Sequence, residues 1–61
     1  MTLDQATELF EADPSGKNAG TLRAVAYNYF TDGMIGDEEF DAIEESIKRV
    51  IAANSQFGLG A

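Results

Sequence analysis

The sequence contains no cysteine and no histidine. Without thiols the chain can form neither disulfides nor thiolate metal sites. Without imidazoles it lacks the commonest general base and the commonest transition-metal ligand. Its serines, Ser15, Ser46 and Ser55, have no candidate base at a spacing typical of nucleophilic catalysis. We therefore expect a protein that is not an enzyme and that needs no cofactor.

Basic residues are also scarce. Four lysines and arginines stand against eleven aspartates and glutamates, which gives a net charge of -7. Binding to nucleic-acid phosphates or to an anionic membrane surface depends on Lys and Arg. The charge balance therefore predicts no direct contact with DNA, RNA or a membrane. It favours a protein partner that carries a basic patch.

Long hydrophobic runs are missing as well. No apolar run approaches the length of a membrane span, and the first ten residues, MTLDQATELF, have neither the basic nor the apolar region of a secretory signal. The expected location is therefore the cytoplasm. The apolar content of 44%, with four phenylalanines and two tyrosines, nevertheless argues against a disordered chain.

The pattern of apolar residues predicts an all-α domain of three helices spanning the whole chain. The helices are expected at residues 3–12, 21–31 and 37–53, with a loop over 13–20 and a flexible tail over 54–61. The short link between the second and third helices predicts a hairpin. The first helix is expected to pack across both.

The helix ends carry their own signals. Thr2 and Gln5 form a predicted capping box at the first helix, and Thr21 is the expected N-cap of the second. Gly33 is expected to end that helix in a left-handed conformation. Gly36 is the expected N-cap of the third helix.

The third helix has the clearest apolar face. Its members recur at helical spacing and are expected to lie in the core: Phe40, Ile43, Ile47, Val50 and Ile51.

Opposite that face lie four acidic residues, Asp37, Glu38, Asp41 and Glu45, which we call the acidic stripe. In one interpretation the stripe keeps the protein soluble and suits the helix dipole. In the other it binds a basic surface on a protein partner.

Tyr27 is a second candidate contact, because it lies off the core face of its helix and tyrosine is enriched at interfaces. Its ring could instead cover the first helix or the tail.

Residues 28–40, NYFTDGMIGDEEF, resemble the calcium-binding loop of EF-hand proteins. That loop has a glycine at the sixth of twelve positions and a bidentate glutamate at the last. Gly33 and Glu39 match those two positions, and Ile35 matches the aliphatic residue between them.

The EF-hand resemblance implies a divalent-cation site formed by Asn28, Asp32 and Glu39. However, Asn28 replaces the aspartate that normally anchors the ion, and Phe30 stands where the family supplies a ligand oxygen. We therefore expect no useful affinity for calcium.

The overlapping stretch DGMIGDEEFDAIEESI is similar to the turn of SHOCT modules, short helical hairpins that mediate oligomerisation in many bacterial proteins. This second resemblance implies self-assembly. Self-assembly would also suit a chain of 61 residues, because so small a domain buries only about 60% of its unfolded surface.

Three functions therefore remain open from the sequence. The first is an acidic module that binds a protein partner as an inhibitor or regulator, including by DNA mimicry. A small acidic chain without cysteine would also suit an accessory protein of a phage or mobile element. The second is a degenerate EF-hand module for a divalent cation. The third is a structural protein that assembles with copies of itself.

Overall fold

The computed structural model describes the backbone of residues 1–59 and the side chains of residues 1–53. It contains three α-helices, Leu3–Ala12 (α1), Gly16–Thr31 (α2) and Asp37–Leu59 (α3), and these described residues form no strand. The prediction of an all-α, three-helix fold is confirmed. Within the described part of the chain, no helix is both long and apolar enough to cross a membrane.

Helix α2 lies between the other two helices. Both α1 and α3 pack against α2, whereas no Cα atoms of α1 and α3 approach within 8 Å of each other among the described residues. Helix α1 therefore lies beside α2 and not, as the sequence predicted, across both α2 and α3. The hairpin of α2 and α3 is confirmed.

All three helices contribute to one small core. Five of its buried apolar side chains form one cluster, Ala6, Phe10, Ala19, Leu22 and Ile47, and Ala26 is buried as well. Phe10 is the largest of them, with 2% of its surface exposed. Hydrophobic burial stabilises a domain in proportion to the area removed from water, so much of the stability of this protein rests on few side chains.

The apolar face of α3 is only partly buried. Ile47 lies in the core, Phe40, Ile43 and Val50 are half-buried, and Ile51 is 41% exposed. The prediction that Ile51 belongs to the core is therefore wrong. Ile51 faces a hollow whose opposite wall includes Gly16 and Gly20 of α2, which have no side chains to cover it.

The start of α1 confirms the predicted capping box. The Thr2 hydroxyl accepts a hydrogen bond from the Gln5 N–H at 3.1 Å, and the Gln5 side chain accepts one from the Thr2 N–H at 3.0 Å. The next free N–H, that of Leu3, donates to the Tyr29 hydroxyl at 3.1 Å. This last bond joins the start of α1 to α2.

Helix α2 begins at Gly16, so the predicted loop over 13–20 is too long and Thr21 is not an N-cap. Ser15 is the cap, because its hydroxyl accepts a hydrogen bond from the Asn18 N–H at 3.1 Å. The glycines of this segment favour a loop in isolation. Tertiary contacts override that preference, because Ala19 packs in the core cluster and one buried polar side chain bonds to the end of α1.

That side chain is Asn18, which is buried with 9% of its surface exposed. Its amide donates to the backbone carbonyls of Asp13 at 2.9 Å and Leu9 at 3.4 Å. The Asp13 carbonyl lies at the end of α1, where helices leave acceptors without intrahelical partners, and the Leu9 carbonyl also accepts from the Asp13 N–H at 3.0 Å. The first turn of α2 thus caps the end of α1, and the connection between them is reduced to a few residues.

The turn between α2 and α3 follows the sequence prediction. Gly33 has a φ of +79°, the left-handed conformation expected after a helix end. The Gly36 carbonyl accepts the first hydrogen bond of α3, from the Phe40 N–H at 3.0 Å, which confirms Gly36 as the N-cap.

The backbone of α3 continues past the predicted end at residue 53 to Leu59. Neither proline nor glycine interrupts the chain between residue 53 and Gly58, so nothing forces the helix to stop there. The side chains of the expected tail, including Phe57 and Leu59, lie outside the described residues.

Candidate protein-binding surface

The acidic stripe lies in water as predicted. Asp37, Glu38, Asp41 and Glu45 are all exposed on α3. Residues four apart on a helix are neighbours on its surface, so three of these carboxylates follow one another along a single row. The burial of Ile47 on the opposite side of the helix explains why the stripe faces solvent.

Tyr27 lies against α3. Its side chain is 56% exposed, and its ring is tilted by 59° against the ring of Phe40, with 6.2 Å between the ring centroids. Phe40 in turn stacks on Phe30, at a centroid distance of 5.0 Å. The sequence left open a position over α1 or the tail, and the described ring contact is with α3 instead. Tyr27 is therefore an exposed aromatic ring that packs on one side against Phe40.

The acidic stripe and Tyr27 occupy neighbouring parts of the surface. Phe40 follows Asp37 by three residues and directly precedes Asp41, so the ring that supports Tyr27 lies in the row next to the stripe. Glu44 lines the same open hollow as Tyr27 and Phe40, where its carboxylate is paired with Arg23. The structure thus brings together an aromatic ring and acidic side chains that are at least ten residues apart in sequence.

A long groove runs between α2 and α3 on this side of the molecule. It consists of two hollows of about 310 and 380 Å³ that share Gly20, Arg23 and Glu44. Arg23 Nη2 and Glu44 Oε2 form an ion pair at 3.2 Å between the two helices. Sequence reasoning did not predict this α2–α3 groove. The groove is indicated in the sequence only by the spacing of Gly16 and Gly20, which places two residues without side chains on one face of α2.

The three residues that the EF-hand resemblance implied as ligands do not share one loop. Asn28 is in the last turn of α2, Asp32 caps that helix, and Glu39 is in the first turn of α3. Helix α2 runs through Thr31, so only residues 32–36 lie between the helices. Among the described residues, no group of three or more acidic, histidine or cysteine side chains is placed to hold a metal ion.

Calcium should leave the melting temperature unchanged, because Phe30 offers no oxygen ligand. A working site with a dissociation constant of about 10⁻⁴ M would add about 1.4 kcal/mol of stability at about 1 mM calcium. For a domain of this size that corresponds to a rise of several degrees. Thermal unfolding with calcium, and with sodium chloride at equal ionic strength as a control, distinguishes the two outcomes. A rise of several degrees with calcium alone would contradict the prediction.

Comparison of the chain with protein-family models, with curated proteins and with solved structures gives no match.

Proposed function

We propose that this protein is a protein-binding module that inhibits or regulates its partner. In this proposal the acidic stripe and Tyr27 bind a basic patch on the partner. The observation that carries it is the position of the Tyr27 ring, 56% exposed and supported by Phe40 beside the row of carboxylates.

The two parts of this surface suit different steps of binding. Buried tyrosines are among the residues that contribute most to affinity at interfaces. Because Phe40 already supports the Tyr27 ring, less side-chain freedom is lost when a partner covers it. Exposed charges such as those of the stripe mainly accelerate association, and their effect is screened over about 8 Å at physiological salt.

Nucleic-acid-binding proteins are one class of partner with suitable basic surfaces. Carboxylates at four-residue intervals on a helix follow one another about every 6 Å along its axis. Phosphates on one strand of DNA follow at about 3.4 Å. The stripe therefore reproduces the sign of a phosphate row at about half its charge density, which supports competition for a shallow basic groove.

Reversing two charges of the stripe, Asp41→Lys with Glu45→Lys, should slow association with the partner about tenfold. It should also flatten the dependence of the association rate on salt. The partner is first recovered from the native host on the immobilised protein, and its binding kinetics are then measured in solution at several salt concentrations.

The matched control is Asp4→Lys with Glu8→Lys, which makes the same charge change on exposed positions of α1. It should affect the association rate much less. If the two double variants bind at the same rate and with the same salt dependence, only net charge matters. The stripe would then be a solubility feature, and the proposal would fail.

A further inference from the structure

The hollow of about 380 Å³ in the α2–α3 groove has an aromatic wall and an ionic edge. Tyr27 and Phe40 form the wall, with 6.2 Å between their ring centroids. Arg23 and Glu44 form the edge, where an ion pair joins the two helices. Gly20 contributes no side chain, and a Cβ atom built on it meets nothing within 4 Å. The hollow is therefore open to a side chain of another protein.

The surface around this hollow is acidic. Inside it, the charges of Arg23 and Glu44 cancel each other. Asp37 and Asp41 are exposed in the neighbouring row of α3, so this end of the groove is negative. The first basic residue of α3, Lys48, lines the other hollow. The charge around the hollow therefore complements a cation.

The ion pair shows that a guanidinium reaches the edge of this hollow. Arg23 Nη2 lies 3.2 Å from Glu44 Oε2, and Arg23 precedes Tyr27 by one turn of α2. The Arg23 side chain is 62% exposed and that of Glu44 is 29% exposed. Ion pairs this exposed to water contribute little to stability. A guanidinium from another protein can therefore replace Arg23 at the Glu44 carboxylate without unfolding the domain.

Arginine suits this combination of an aromatic wall and a carboxylate better than other side chains. Its planar guanidinium stacks on aromatic rings and pairs with a carboxylate through two N–H groups. The ammonium of lysine is more strongly hydrated and has no plane to stack. An apolar side chain would remove water from Arg23 and Glu44 without supplying hydrogen bonds in return, which is unfavourable.

We propose that this hollow binds an arginine side chain of the protein partner. The guanidinium stacks on the exposed ring of Tyr27 and pairs with Glu44, and Arg23 is displaced into solvent. Arg23 is thus an internal competitor that lowers the affinity for the partner. This inference rests on the proposed function, to which it adds the type of side chain that is bound and a residue that regulates its binding.

The test uses three synthetic peptides, Lys-Lys-X-Lys-Lys with blocked ends, in which X is arginine, lysine or leucine. Each is titrated into the isotope-labelled full chain at low salt, and the dissociation constant is taken from the shift changes at Tyr27 and Glu44. The arginine peptide should bind about two- to fivefold more tightly than the lysine peptide, the range of an exposed cation–π contact. The leucine peptide should bind most weakly. Equal binding of the arginine and lysine peptides, or tightest binding of the leucine peptide, would overturn the proposal.

The peptide titrations need no partner from the host, so they separate this inference from the proposed function. If arginine is not preferred while the stripe reversal slows association with the partner, the partner is bound by charge alone and only this inference fails. If arginine is preferred while the stripe reversal has no effect, the hollow binds arginine and the proposed function fails.

Two substitutions of Tyr27 distinguish the ring from its surroundings. Tyr27→Phe keeps an aromatic ring and should keep the preference for the arginine peptide. Tyr27→Leu removes the ring and should bind the arginine and lysine peptides alike. Tyr27 is 56% exposed, so both variants should remain folded by circular dichroism. A preference for arginine that persists in Tyr27→Leu would contradict the proposed stacking.

Arg23→Gln tests the competition for Glu44. It should strengthen binding of the arginine peptide about two- to fivefold, because an exposed ion pair no longer has to be broken. The matched control is Lys17→Gln, which removes the same charge from an exposed position elsewhere on α2 and should strengthen binding less. Equal gains for the two variants would show that only net charge matters and that Arg23 does not compete.

Discussion

Phe10→Ala should leave the protein largely unfolded at moderate temperature. Phe10 is the largest fully buried side chain of the described residues, with 2% of its surface exposed, and Phe→Ala substitutions in cores cost about 3–5 kcal/mol. A domain of 61 residues has a total stability of about 3–9 kcal/mol. The substitution therefore removes a large part of the free energy of unfolding. Urea denaturation followed by circular dichroism measures the loss.

The neighbouring residue provides the control for Phe10. Leu9 is 42% exposed, so Leu9→Ala should cost about 1 kcal/mol or less. Equal losses for the two variants would show that α1 does not pack through the face that contains Phe10.

Ile47→Ala should have the second largest effect, about 2–5 kcal/mol. Ile47 is 3% exposed and is the residue of α3 in the buried cluster. Its loss would weaken the attachment of α3 to the rest of the core. The thermal midpoint should fall by about 8 °C or more, at about 4–8 °C per kcal/mol.

Ile51→Ala is the matched control, because it removes the same atoms one helical turn farther along α3. Ile51 is 41% exposed beside the glycines of α2, so its replacement should cost well under half as much. The sequence pattern places both isoleucines on one apolar face. If Ile51→Ala lowers the free energy of unfolding as much as Ile47→Ala does, Ile51 is buried as the sequence pattern predicts, and the structure is contradicted at this position.

The parts of the fold that were predicted correctly depend on local interactions. The capping box of Thr2 and Gln5 joins residues three apart, and the left-handed Gly33 is a property of one residue. Such features can be read from short stretches of sequence. The start of α2 at Gly16 could not be predicted in this way, because the buried amide of Asn18 bonds to carbonyls of another helix.

The candidate surface likewise has features that the sequence of one helix predicts and features that depend on how the helices pack. Exposure of the acidic stripe follows from the apolar face opposite it, so the periodicity of α3 was enough to predict it. The contact between Tyr27 and Phe40 depends on how α2 and α3 pack. The groove depends in addition on the gap that Gly16 and Gly20 leave beside Ile51. No spacing within one helix contains this information.

The most direct test of the proposed interface is a map of backbone amide chemical shifts. The isotope-labelled protein is titrated with the partner recovered from the host. We expect the largest shift changes at the acidic stripe, Asp37, Glu38, Asp41 and Glu45, and at Tyr27, with little change on the outer face of α1. Changes confined to α1 around Glu8 and Leu9, with the stripe and Tyr27 unaffected, would contradict the proposal.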